Sequence, residues 1–344
     1  YLSSKLGKEV LIFGTVMSNF VQLAVLYVFS SRNGYRFKYE LKITPEIKQA
    51  FVILVPIFIS SMLDQINNFV NKAFASGLGE GSVSALNYSV VIRTFIFYVF
   101  TIAITTMIYP MLSKSMAEND MKTVKRTIAK SVDIIIILFV PITIGAFLLS
   151  KPAVSFIYER GEFGSESTMM TSMALQMYSL GLVALALRNV ITKVFYSMQD
   201  TKSTMYVSIF TVGLCVLFSA ILVKPMGHIG LALASSLAET LTIPLFFIFL
   251  HKRLGSLGMK NSLNIFIKSS ISSAVMGSAV YFVFKYASMA ITGGKLYTLL
   301  SMGISAVAGV LVYFVLMVIM KVKEMDFFTG IVRNVWGKVF KKIS

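Results

Sequence analysis

The chain has 344 residues, of which 56% are hydrophobic and only 14% are charged, where a soluble domain carries about 25% charged residues. That is the composition of a membrane protein, so the net charge of +17 belongs to loops on one side of a bilayer and not to a nucleic-acid-binding face. One cysteine, Cys215, and two distant histidines, His228 and His251, exclude a disulfide framework and leave zinc or haem almost without ligands, so no metal or cofactor is expected.

A membrane span needs roughly 20 mostly apolar residues. Nine such stretches follow one another, near 7–29, 49–75, 83–112, 131–150, 168–197, 205–223, 229–250, 264–286 and 297–320. They are too long for strands and lack two-residue alternation, which argues against a β-barrel. Pro56, Pro141 and Pro244 fall inside the second, fourth and seventh. Each removes a helix hydrogen bond and predicts a kink. GLGEG at 77–81 joins two spans and lacks the Lys-Ser/Thr of a phosphate loop, so it reads as a turn.

Basic residues orient the spans. Segments 31–48 and 113–130 each carry five lysines or arginines, and further ones follow at Lys202, in 251–268 and in 321–344. If nine spans alternate, 21 basic residues share one side against eight on the other. The richer side is cytoplasmic, and the chain starts outside and ends inside. It opens at Tyr1 without a methionine or a signal peptide, so an internal fragment is expected. In the tail 321–344, Phe328, Ile331, Val335, Trp336 and Val339 recur at helical spacing opposite Arg333, Lys338, Lys341 and Lys342. That pattern is an interfacial amphipathic helix on an anionic leaflet, or only a stop-transfer anchor.

Four ionisable residues fall well inside spans: Asp64, Arg93, Arg188 and Glu239, with Lys193 nearer a cytoplasmic end. A charge at the centre of a membrane helix costs roughly 2.5–3.5 kcal/mol, so these side chains face a bundle interior or water. No Ser-His-Asp grouping, carboxylate pair or phosphate loop accompanies them, so no catalytic set is expected. Arg93 reads either as the partner of Asp64 or Glu239 in a structural ion pair, or as a cation lining a polar cavity. Arg188 and, more easily, Lys193 could instead snorkel towards the interface. Asp64 could cap a helix kinked at Pro56, and Glu239 could pair with a lysine. The sharper reading places two arginines around an anionic substrate, because a guanidinium grips phosphate bidentately and keeps its charge.

Several stretches together resemble one family: ASGLGEGSVSALNYS (75–89), YPMLSK (109–114), YERGEF (158–163), VFYSMQDTKSTM (194–205) and GHIGLALASSLAETL (227–241). Their order and spacing resemble the lipid II flippase family, MurJ type, of the multidrug/oligosaccharidyl-lipid/polysaccharide (MOP) exporter superfamily. The resemblance implies an all-α membrane protein of fourteen helices, of which the nine spans would be helices 6–14. It implies that residues 1–30 are the last helix of an N-lobe, 31–48 a cytoplasmic linker, 49–250 a six-helix C-lobe and 264–320 two extra helices forming a lipid-tail groove, with 321–344 a basic tail. The implied function is movement of an undecaprenyl-pyrophosphate-linked peptidoglycan precursor from the cytoplasmic to the outer leaflet by alternating access, with no bond made or broken. The partners implied are that lipid-linked anionic glycan, membrane lipids and other proteins of cell-wall synthesis, at a bacterial inner membrane with the C-terminus cytoplasmic. No nucleic acid is involved.

Carried over residue by residue, Arg188 in LRNVITKVFY matches a basic position of the family's tenth helix. Laid without gaps, another basic position falls at Val91, two residues before Arg93, and an acidic one at Thr94. Two residues turn a helix by about 200°, so that cavity charge is displaced or partly absent here. Some members bind sodium through acidic and amide groups. Asn71 stands where Asp is common, and Cys215 and Ser219 where Asn or Asp is frequent, so no sodium site is expected. Competing readings are a flippase for another undecaprenyl-linked oligosaccharide, a drug or cation antiporter, and a degenerate, non-transporting homologue. Two arginines against two carboxylates argue against the antiporter.

Overall fold

The computed structural model describes residues 9–34, 44–290, 293–322 and 324–325. They form eleven helices in chain order: α1 (Glu9–Arg32), α2 (Pro45–Ser76), α3 (Ser82–Ala117), α4 (Met121–Leu148), α5 (Ser150–Tyr158), α6 (Ser165–Ser179), α7 (Leu182–Ser197), α8 (Thr201–Met226), α9 (His228–Leu254), α10 (Lys260–Ala290) and α11 (Lys295–Ile319). Among the described residues there is no strand beyond an isolated bridge between Arg160 and Phe163. Eight of these helices are long and apolar enough to cross a membrane, and α6 with α7 makes a ninth crossing if that bent pair is one span. The protein is an all-α, multi-pass membrane protein. Half of the 31–48 linker and nearly all of the amphipathic tail lie outside the described residues.

The helices overrun the apolar stretches that mark them in the sequence. The third runs on to Ala117 and the fourth begins at Met121, so the basic residues of 113–130 sit largely on helix ends about a three-residue turn. Hydropathy marks the apolar middle of a helix, whereas the ends are set by caps. Asp120 accepts from the Thr123 amide at 3.0 Å to start α4, and Asp200 accepts from the Ser203 amide at 3.1 Å to start α8. The Thr123 hydrogen bonds hold the Asp120 carboxyl below its ordinary value. A short helix, α5, also stands where the sequence suggested only the end of a span and a loop.

Pro56, Pro141 and Pro244 lie inside the continuous helices α2, α4 and α9. A break comes in the fifth span, where α6 and α7 meet at 50° across Leu180 and Gly181. A Cβ on Gly181 would lie 2.9 Å from Ser236 Oγ and 3.0 Å from Ser236 Cα, so the bare glycine lets α9 press against the joint. The Gly181 amide turns to the Tyr178 carbonyl, and the Ser236 hydroxyl donates to the Met177 carbonyl at 2.7 Å. A neighbouring helix thus satisfies the backbone group that the bend leaves over.

The chain divides into two units, Tyr1–Ala50 and Phe51–Ser344. Within the first, α1 is a 24-residue apolar helix. The second holds α3 to α11 and every site residue considered below. Its core is built on α4, where Val124, Ile128, Val132, Ile135 and Phe139 are buried at helical spacing. They belong to one cluster with Ala186, Val190 and Val194 of α7, Met276 and Val280 of α10 and Met317 of α11. Small residues allow close approach: Cβ atoms would meet Ile144 Cγ2 at 2.8 Å from Gly277 and Val280 Cγ2 at 2.5 Å from Gly309.

Candidate functional site

Helix α7 separates the core from a polar cavity. Leu182, Ala186, Val190, Ile191, Val194 and Phe195 form its buried face. Arg188, Asn189, Thr192, Lys193 and Tyr196 form the opposite face at spacings of one, four, five and eight residues, and all five line a cavity of about 350 Å³. Leu185 of α7, Ser60, Ser61 and Asp64 of α2, Phe97 and Tyr98 of α3, and Thr204 and Ser208 of α8 complete its wall.

Arg188 organises this site. Its Nη1 donates to Glu239 Oε1 at 2.7 Å, and its Nη2 donates to Asp64 Oδ1 at 3.2 Å and to Ser208 Oγ at 3.4 Å. The two carboxylates differ in setting. The Glu239 side chain is 15% exposed and the Asp64 side chain 54%. Glu239 therefore holds the guanidinium from inside the bundle, and Asp64 meets it at the cavity wall. The ordered, planar fork of arginine makes this double grip possible, where the single ammonium of lysine would not. Lys193 stands on the same wall, its Nζ 6.0 Å from the Tyr109 ring centroid and 5.9 Å from that of Tyr196. The aromatic faces hold its charge in place of a carboxylate.

Arg93 lies apart from this group. The ion pair with Asp64 or Glu239 that its sequence position allowed is made by Arg188 instead. The Arg93 guanidinium carbon sits 4.6 Å from the centroid of the Tyr178 ring, and its buried Nε has no hydrogen-bond partner. Depth along α3 explains the difference, since Phe97, four residues on, lies on the face of Arg93 but one turn further along the helix. Among the residues around it on α3, Phe97 and Tyr98 reach the Arg188 cavity while Arg93 turns towards α6. Glu239 pairs with an arginine and not with a lysine, and Asp64 binds Arg188 and not a helix end.

Sequence reading missed the neutral part of the cavity wall. The signal that could have found it was the helical recurrence of Arg188, Thr192 and Tyr196 beside Asn189 and Lys193. It also missed Asp133, a buried carboxylate on α4 whose Oδ1 is without a partner. Asn71 donates to Ser235 at 3.5 Å and to Cys215 Sγ at 3.9 Å, and accepts from Ser219 at 3.3 Å. That makes a neutral cluster with no carboxylate in it. Among the described residues, no three His, Cys, Asp or Glu side chains come together as a metal site would need.

A family model described as lipid II flippase MurJ matches residues 2–302. A probable lipid II flippase MurJ of Rhizobium tropici is 28% identical over 304 residues, covering 87% of this chain and 57% of that protein. One of Rickettsia prowazekii is 29% identical over 209 residues, covering 61% of this chain and 41% of that protein. The chain spans about half the length of the curated relatives it matches. A solved lipid II flippase MurJ in an inward closed conformation superposes with a TM-score of 0.72 at 23% identity, over 96% of this chain and 64% of that one. A MOP superfamily transporter from Pyrococcus furiosus shares the fold with a TM-score of 0.53 at 18% identity, over 78% of this chain and 63% of that one.

Proposed function

The chain belongs to the lipid II flippase MurJ family, and from that premise we propose that it forms the C-terminal part of a flippase for an undecaprenyl-pyrophosphate-linked peptidoglycan precursor. On this reading 1–30 ends the N-lobe, 49–250 forms the C-lobe and 264–320 adds two helices, joined by the linker 31–48 and followed by the tail 321–344. The basic segments face the cytoplasm, the C-terminus included, in the inner membrane of a bacterium. The substrate crosses from the cytoplasmic to the outer leaflet by alternating access.

The observation that carries the proposal is the clamped guanidinium of Arg188 on the wall of a polar cavity among membrane-crossing helices. Asp64 and Glu239 offset the charges of Arg188 and Lys193, so the charges at the cavity balance among its own side chains. An anionic ligand must therefore exchange with something. Asp64 is the side chain placed to exchange, being more exposed and more weakly held than Glu239. A phosphate oxygen takes its place on Nη2 while Glu239 keeps the guanidinium aimed, and Lys193 supplies the second cation. Arg93 stands outside this cavity, against the ring of Tyr178. An apolar cleft of about 380 Å³ between α4, α10 and α11, lined by residues such as Ile142, Met276, Val280, Val310 and Phe314, suits the hydrocarbon of the same substrate.

The test is expression of the complete coding sequence in a bacterium depleted of its own lipid II flippase. Rescue of growth, lost in Arg188→Lys at equal membrane abundance, is expected. Protein present in the membrane without rescue would overturn the proposal, in favour of another lipid-linked oligosaccharide or a non-transporting homologue.

A further inference from the structure

A second polar cavity, of about 220 Å³, lies along α2 beyond the Arg188 site. Its polar wall is Gln65, Asn68, Asn71 and Lys72 of α2, Asn87 of α3 and Tyr178 of α6. On α2, Ser61 and Asp64 line the first cavity and Gln65, Asn68 and Lys72 the second. These positions recur every three or four residues, so they share one helix face and form an unbroken polar track from one cavity to the other.

The two cavities differ in chemistry. The first holds charges of both signs. The second holds four carboxamides and no carboxylate, with Lys72 as its only charged lining residue. Asn71 is engaged with Ser219 and Ser235. Gln65, Asn68 and Asn87 are exposed, and none makes a hydrogen bond among the described residues. Unpaired amides are costly against lipid, so on membrane-crossing helices they face water or a ligand. Each carboxamide offers two donors and an acceptor. That pairing suits a partner whose groups both donate and accept, as hydroxyls and secondary amides do, and does not suit a bare anion. Tyr178, buried and backed by the Arg93 guanidinium at 4.6 Å, closes the inner end of the cavity beside the amides. The volume is below the roughly 300–1,000 Å³ that holds a drug-sized ligand, so it suits about one ring.

We infer that this amide-lined cavity is a subsite for a sugar ring bearing hydroxyl and amide groups, contacted by Gln65, Asn68 and Asn87 while the attached phosphates lie at Arg188. The inference rests on the flippase reading, because it is the polar track on α2 that joins the two parts of one substrate.

The test compares two probes on the purified complete protein in lipid nanodiscs: a polyprenyl pyrophosphate without sugar, and the same lipid carrying a disaccharide. The wild type is expected to prefer the sugar-bearing probe. Asn68→Leu combined with Asn87→Leu removes two hydrogen-bonding side chains and is expected to lower that preference by about tenfold. Gln65→Leu reads the same ratio from the third amide. An unchanged ratio in both variants, or equal loss of both probes, overturns the inference and leaves the flippase reading standing. Failure of the wild type to bind either probe overturns the flippase reading itself.

Discussion

The Arg188 triad predicts an asymmetry between its two carboxylates. Arg188 and Glu239 are 16% and 15% exposed and 2.7 Å apart, whereas Asp64 is 54% exposed and 3.2 Å away. Arg188→Met would leave Glu239 buried with neither oxygen paired, since Oε2 already lacks a partner. Breaking a buried pair in this way costs about 3–5 kcal/mol. Asp64→Asn loses only a screened contact, worth about 0–1 kcal/mol. The double variant Arg188→Met, Glu239→Leu removes both buried charges and should recover most of the loss. Unfolding of the purified protein in a graded denaturing detergent measures all three, and membrane abundance should follow the same order. Asp64→Asn should also tighten binding of a sugarless polyprenyl pyrophosphate, because it removes the group that competes for Nη2. Equal destabilisation by Asp64→Asn and Arg188→Met would refute this reasoning, as would an Arg188→Met variant as stable as the wild type.

Glycine substitutions should follow the space around each position. Gly230→Ala puts a Cβ 2.3 Å from the Leu222 carbonyl oxygen and should be the most damaging, at about 1–3 kcal/mol or more. Gly181→Ala meets the Ser236 backbone at 3.0 Å and should cost less, while Gly213→Ala, with nothing within 4 Å, should be neutral or stabilising by thermal unfolding. Tyr313→Phe removes a buried hydroxyl that donates to the Ile137 carbonyl at 2.8 Å and contacts Ser269 Oγ at 2.8 Å. It should cost about 1–3 kcal/mol, because Ile137 and Ser269 lose a partner that water does not replace. Asp120 has a lowered folded-state pKa, so its cap on α4 contributes fully above the ordinary carboxylate value and is lost as pH falls from there through the lowered folded-state value. The protection of the Thr123 amide, as its exchange rate relative to that of an unstructured amide at the same pH, should fall only below the ordinary carboxylate value of about 3.9. In a Cys215→Ala background, single cysteines at Lys122 and Lys151 should label from opposite sides of the membrane; labelling from the same side would contradict the alternating spans.

Hydrophobic run lengths were enough to mark an all-helical membrane protein with about nine crossings, since any apolar stretch of that length must hydrogen-bond its own backbone in lipid. The excess of basic residues on alternate loops predicts a side, and the charges isolated in apolar runs named Asp64, Arg188 and Glu239 individually. None of that periodicity says which charge meets which. Pairing depends on the rotational phase of separate helices and on their depth, and these follow from packing. Arg188 rather than Arg93 takes both carboxylates because α7 turns its polar face towards α2, α8 and α9, while Arg93 on α3 turns to Tyr178. The bend at Gly181 was equally hidden. Proline carries its backbone effect in its own ring and so is visible in sequence, but Gly181 matters through the Ser236 backbone 55 positions away in the chain. The amide-lined cavity needed both kinds of information, since its asparagines are plain in the sequence and only the packing of α2 against α3 and α6 makes them one wall.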